Sequence, residues 1–271
     1  MPDRLGPMRF VGEAGQALVD LAEKEATRLG ALGFDGKFEM DLITSRPVMT
    51  LRGFVRRLRA KYGILNRSRG DRREKVFERE LIKEARTGDI TWDVGAFVGG
   101  YTKKLSQEVG SEGRVFAFEP NPQSRERLQE RLAAEKNVTV LPIALGSRCE
   151  SVNFLLSRGR SRVVSDSNRP DVAVVRMETG DAIVDLGEAT QPNLIKIDAE
   201  GLELEILQGL LRTLESPALR AVFIEVHFQL LAERYPTDNV PAEIVELLKS
   251  CGFRIRWVSP SHIAAHRRRT S

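Results

Sequence analysis

The chain has 271 residues, with 42 Lys and Arg against 38 Asp and Glu, a formal net charge of +4. Hydrophobic residues make up 41% and charged residues 30%, which excludes bulk disorder, low-complexity repeats and a collagen-like chain. No apolar run in the sequence approaches the ~18–20 residues that span a bilayer. The two cysteines, Cys149 and Cys251, supply neither a disulfide framework nor a thiolate metal site. The opening MPDRLGPMRF has no apolar signal core, so the cytoplasm is the expected compartment.

Residues 1–79 read as a helical extension. Ala14 to Leu32 places Leu18, Leu21, Ala22 and Leu29 at helical spacing among charged residues. Residues 51–65 gather Leu51, Phe54, Val55, Leu58, Tyr62 and Leu65 on one face, with Arg56, Arg57, Arg59 and Lys61 mostly off it. This amphipathic helix is expected to pack on the main domain. Docking to a membrane surface or to an acidic carrier protein is its alternative use. From Arg52 to Arg79 there are 11 Lys and Arg against 3 Asp and Glu, a net +8 that leaves −4 for the rest. The basic excess is therefore local, which argues against a nucleic-acid surface over the whole protein. NRSRGDRRE then reads as a turn and KVFERELIKEA as a helix leading into a second domain, 80–271.

From Asp89 the pattern alternates between strands and helices. ITWDVGA is a short apolar strand ending in glycine, followed by a helix from about Gly99 to Val109. VFAFEP is the next buried strand, and NPQSRERLQERLAAEK is a helix opened by Asn and Pro. VTVLPIAL reads as a third strand, and SVNFLL and VAVVRME as two more around the polar loop SRGRSRVVSDSNRP. NLIKIDAEG is a strand with an acidic end, followed by the helix LELEILQGLLRTLE. AVFIEVH, a helix near Ala242–Ser250 and the strand FRIRWVS complete the series. This alternation predicts a mostly parallel sheet with helices on both faces, binding ligands at the carboxyl ends of its strands.

Four sites fall at those ends. In DVGAFVGGYT, Gly95 and Gly99 allow close backbone approach at a strand-to-helix turn. The spacing matches neither a dinucleotide fingerprint nor a P-loop. Asp93 has the wrong sign for cradling pyrophosphate and suits a cationic group such as the amine or sulfonium of S-adenosylmethionine. Glu119, closing the second strand, is placed to accept both hydroxyls of a ribose. Lys196, Asp198 and Glu200 alternate at the end of a later strand, and Glu225 and His227 do so on the next. Carboxylates and an imidazole gathered there could deprotonate a hydroxyl, orient a substrate or hold a cation.

These segments, in this order and spacing from about Glu80 to Phe228, resemble the FkbM-type methyltransferase family. IKIDAEGLELEILQGL is the most specific part. The resemblance implies a class I Rossmann-like methyltransferase fold with a seven-stranded sheet, using S-adenosylmethionine for O-methylation of hydroxyls on sugars or natural products. By position it implies that Asp93, Gly95 and Gly99 form the cofactor turn, with Thr102 near the methionine carboxylate. Glu119 would hold the ribose beside Asn121, and Ala144 and Leu145 would meet the adenine edge. Asp198 would lie near the methionine amine or the acceptor. The family usually has Asn where Phe97 stands, and Ala199 replaces a β-branched residue.

Methyl transfer from a sulfonium needs alignment and a deprotonated acceptor. His227 is the expected general base, since an ordinary imidazole titrates near ~6.5. Asp198 is second, with Glu200 and Glu225 as orienters. A divalent cation on Asp198, Glu200 or Glu225 is a secondary reading. The Arg- and Ser-rich loop and the N-terminal helices are expected to cover the pocket of a small acceptor, glycosylated or anionic. RNA methylation and cofactor binding without catalysis are the rival readings. The first lacks an Asn/Asp-Pro-Pro-Tyr motif, a proline before Cys149 and stacking aromatics, which total 6%.

Overall fold

A computed structural model of the chain describes residues 67–157, 161–165 and 169–268. The helices expected at 14–32 and 51–65, with their docking face, lie outside the described residues. Asp71–Ser271 forms one compact unit. Helix α1 (Arg67–Glu84) takes in most of the segment expected to turn. Arg, Lys and Glu are strong helix formers, and one interior glycine costs a helix only about 1 kcal/mol.

The chain then runs β1 (Ile90–Val94), α2 (Gly100–Val109), β2 (Arg114–Phe118), α3 (Pro122–Arg131) and β3 (Val138–Leu141). A second group follows: β4 (Ala144–Leu145), β5 (Glu150–Leu155), β6 (Arg162–Val163), β7 (Val172–Glu178) and α4 (Gly180–Asp185). The last third holds β8 (Leu194–Ile197), α5 (Glu203–Gln208), α6 (Leu211–Glu215), β9 (Ala221–Glu225) and α7 (Phe228–Arg234). It closes with α8 (Val240–Ser250), β10 (Phe253–Ser259) and β11 (His262–Arg267).

Seven strands form one sheet in the order β10-β11-β9-β8-β1-β2-β3. All run parallel except β11, which is antiparallel to both of its neighbours. Period 2 sends Val115, Leu194, Ala221 and Phe223 to one face, where they bury against Phe77 and Leu81 of α1 and Leu105 and Val109 of α2. Trp92, Phe118, Ile195, Ile197 and Val222 are buried on the opposite face, where Gly180 packs so closely that a Cβ on it would meet Leu210 at 2.2 Å and Trp92 at 3.1 Å. With both faces covered, the strands read as continuous apolar runs. Strand order turns at β1, which lies between β2 and β8. That is the crevice where such sheets bind ligands.

Three sequence expectations change. VTVLPIAL is not one strand: β3 stops at Leu141, before Pro142, which has no N–H to extend the ladder. Ala144–Leu145 instead joins a separate four-stranded sheet, β4-β7-β5-β6, where SVNFLL and VAVVRME pair antiparallel. The helix expected at LELEILQGLLRTLE divides into α5 and α6 at Gly209. A Cβ there would stand 2.0 Å from the Gly146 carbonyl oxygen, so the chain passes too close for any other residue.

Candidate active site

The turn after β1 is shaped by contact with its neighbours. Gly95 has φ +77°, and a Cβ on it would lie 1.9 Å from the carbonyl oxygen of Asp198, at the end of adjacent β8. Gly99 caps α2 in the left-handed region, and its Cβ would meet Leu128 of α3 at 2.6 Å. Both glycines permit close packing of chain on chain, and Gly95 also borders the cleft. Phe97 sits between them at φ +50°, a conformation that Asn tolerates better than Phe. It is 40% exposed and lines the cleft mouth.

Asp93 is fully buried behind this turn. Its carboxylate accepts a 2.6 Å hydrogen bond from the Thr102 hydroxyl and pairs with Lys196 Nζ at 3.0 Å. Lys196, itself buried, also donates to the Gly95 carbonyl at 3.0 Å and lies 3.6 Å from Asp198. Burial works against its charge, but Asp93 and Asp198 hold its pKa above the ordinary lysine value. Asp93 and Thr102 therefore support the turn from behind, and neither borders the cleft. Lys196 ties the ends of β1 and β8 together, a role that alternation alone did not reveal.

Glu119 closes β2 and is held from two sides. Its carboxylate accepts the backbone N–H of Phe97 at 2.7 Å and of Asn121 at 2.8 Å. Burial pushes its pKa up to about 7, against the lowering effect of those two donors. Asn121 is the N-cap of α3: its side-chain oxygen accepts from Gln123 N–H at 2.9 Å. Its amide donates to Ser161 Oγ at 2.7 Å, which ties a residue lining the cleft to the start of α3. The residue expected beside a ribose is thus a cap and a clamp, 1% exposed.

A cleft open to solvent lies at the strand ends. Gly95, Phe97 and Glu119 form one wall. Pro120, Ile143, Ala144, Leu145 and Phe154 form an apolar slot, and Ser161, Asp198 and Glu200 complete the rim. Ala144 and Leu145, expected at an adenine edge, both line this slot. Ile143 and Phe154 escaped the sequence reading, because the second sheet that carries Phe154 was not foreseen. The described part of the Arg- and Ser-rich loop brings Ser161 to the rim.

Beside this cleft stands a second group. His227 Nδ1 lies 2.6 Å from Glu203 Oε1, a carboxylate buried on α5, which also accepts the Gly201 N–H at 3.0 Å. Its Nε2 faces Asp198 and Glu200, each 3.6 Å away. Burial opposes a charge on the ring, but Glu203, Asp198 and Glu200 outweigh it and push the pKa up to about 9. The expected ordinary imidazole is not what this setting produces: the surrounding carboxylates favour the charged ring. Burial also raises the Asp198 carboxyl, against the pull of Lys196. Glu225 lies next to His227 on the other side, with His262 Nε2 at 3.6 Å. Glu203 and His262 were missed: each meets a partner from another element, 24 and 37 residues away in the chain.

A sheet in this order, with a glycine turn after its first parallel strand and a carboxylate closing the second, defines the class I Rossmann-like methyltransferase fold. The profile of the methyltransferase FkbM domain matches residues 93–255, and the chain belongs to that family. Hexuronic acid methyltransferase AglP of Haloferax volcanii is 33% identical over 167 residues, 59% of this chain. The chain spans 65% of that relative's length. Among solved structures, FkbM from Methylobacillus flagellatus superposes with a TM-score of 0.46 at 19% identity, covering 66% of this chain and 43% of that one. Aeropyrum pernix fibrillarin, solved with bound S-adenosyl-L-methionine, gives a TM-score of 0.41 at 12% identity, covering 66% of each chain.

Proposed function

We propose that this chain methylates a hydroxyl oxygen of a sugar-type small molecule, using S-adenosylmethionine. The observation that carries the reading is the cleft at the strand-order turn, lined by Glu119 together with the apolar slot. A nucleoside needs both features. Glu119 would take the ribose hydroxyls, exchanging them for part of its present bonds to Phe97 and Asn121. Pro120, Ile143, Ala144 and Leu145 would flank the base. Asp93 and Thr102 would act through the turn that they brace. When bound, S-adenosylmethionine supplies an activated methyl group on a sulfonium leaving group.

The remaining work is to align one acceptor oxygen and remove its proton. Asp198 and Glu200 lie at the junction of the cleft and the His227 group, so the acceptor hydroxyl is assigned there. One of these carboxylates takes the proton. His227, fixed through Nδ1 by Glu203, presents Nε2 to the same spot and orients the acceptor. The relative that acts on a hexuronic acid supports an acidic sugar as the acceptor class. The test is transfer from methyl-labelled S-adenosylmethionine to glycosides of uronic acids and of neutral sugars. Alkali-stable label on a uronic acid glycoside is the expected result, since a methyl ether survives base. Alkali-labile label would mean an ester, and would move the reaction from hydroxyl to carboxylate.

A further inference from the structure

We propose that Asp198, Glu225 and His227 form a divalent-cation site on the acceptor side of the cleft. One oxygen or nitrogen from each lies within 4.8 Å of the other two. A common ion at roughly 2.2 Å from each ligand holds them no more than roughly 4.4 Å apart, so small side-chain rotations close the set. Two carboxylate oxygens and one imidazole nitrogen match the tastes of manganese and its neighbours better than those of soft metals.

Two independent features point to the ligand. His262 is 4% exposed, and its buried Nε2 has no hydrogen-bond partner while facing Glu225 at 3.6 Å. Its other nitrogen is fixed by the Ser259 hydroxyl at 2.6 Å. Glu203, wholly buried, likewise fixes Nδ1 of His227 and leaves Nε2 aimed at the shared space. Outer partners that orient the ligands of an ion are the usual companions of a metal site. The local charge demands the same. Four carboxylates, Asp198, Glu200, Glu203 and Glu225, gather around the one imidazole of His227, and Lys196 is already paired with Asp93. A divalent cation taking the place of the His227 Nε2 proton offsets more of that negative charge than the proton does.

Such an ion would take the acceptor oxygen as a further ligand and lower the pKa of its hydroxyl. The proton then passes to Glu200, which is outside the ligand set. This role rests on the methyl-transfer reading above, whereas the site itself does not. The test uses chelator-stripped full-length protein and Mn²⁺ alone, followed by electron paramagnetic resonance, with S-adenosylhomocysteine titrated separately. A single Mn²⁺ per chain is expected, with affinity reduced at least about tenfold in both Glu225→Gln and His227→Gln. Glu246→Gln, on an exposed carboxylate, should leave Mn²⁺ binding unchanged. Mn²⁺ binding that is absent, or that survives both substitutions unaltered, overturns the site even if S-adenosylhomocysteine binds. The expected Mn²⁺ result without S-adenosylhomocysteine binding upholds the site and overturns the cofactor reading.

Discussion

Glu119 is buried, whereas the proposed ribose contact calls for its charged form, and this conflict has a measurable signature. Its pKa is raised from 4.5 to about 7 in the folded chain. A carboxyl whose folded pKa is raised contributes stability fully below its unfolded pKa, and loses that contribution as pH rises through the folded value. The window is therefore about pH 4.5 to 7. Wild-type stability should decline across it relative to Glu119→Gln, measured by thermal melting of the two proteins. Ribose hydroxyls donate to the ionised form, so affinity for S-adenosylhomocysteine should fall as pH drops below about 7. The same titration on Glu119→Gln should be flat across that range. A wild-type affinity that rises toward acid would contradict the assigned contact. Glu119 was legible in the sequence because it ends a buried strand. Its backbone donor from Phe97 was not, because that N–H belongs to a turn whose shape depends on Gly95.

Helix α3 shows how an element carries a site. Asn121 and Pro122 mark its start in the sequence, and the helix begins there. What alternation and capping rules could not reveal is that the same Asn121 amide holds Ser161, on the rim of the cleft. Asn121→Ala should cost about 1 kcal/mol for the lost cap, seen as a lowered melting temperature. It should also weaken S-adenosylhomocysteine binding without removing it, because Glu119 stays in place. Asn121→Asp keeps the cap oxygens but loses the donor to Ser161. It should restore stability while leaving the binding defect, which separates the two roles. The small second sheet was the least legible element. β4 and β6 have two residues each, too few for a period, and their pairing spans distant parts of the chain.

At the scale of the molecule, the sheet was readable because buried parallel strands are continuous apolar runs separated by helices of regular length. ITWDV, VFAF and LIKI could hardly be anything else. β11 was missed because His262 and His266 mask an inward-facing segment, HIAA, that is almost wholly buried. The site divides in the same way. Residues at strand ends were found from spacing, while those joined from separate elements, Glu203 with His227 and His262 with Glu225, needed the fold. The whole arrangement converges on one claim, that the crevice between β1, β2 and the slot at Ile143–Leu145 holds a nucleoside. Calorimetric titration of the protein with S-adenosylhomocysteine, alongside Glu119→Ala, tests it most directly. The account predicts binding in the wild type and a loss of roughly 10- to 100-fold in the variant, the worth of hydrogen bonds to a buried carboxylate. Absence of binding, or equal binding by both proteins, would contradict it.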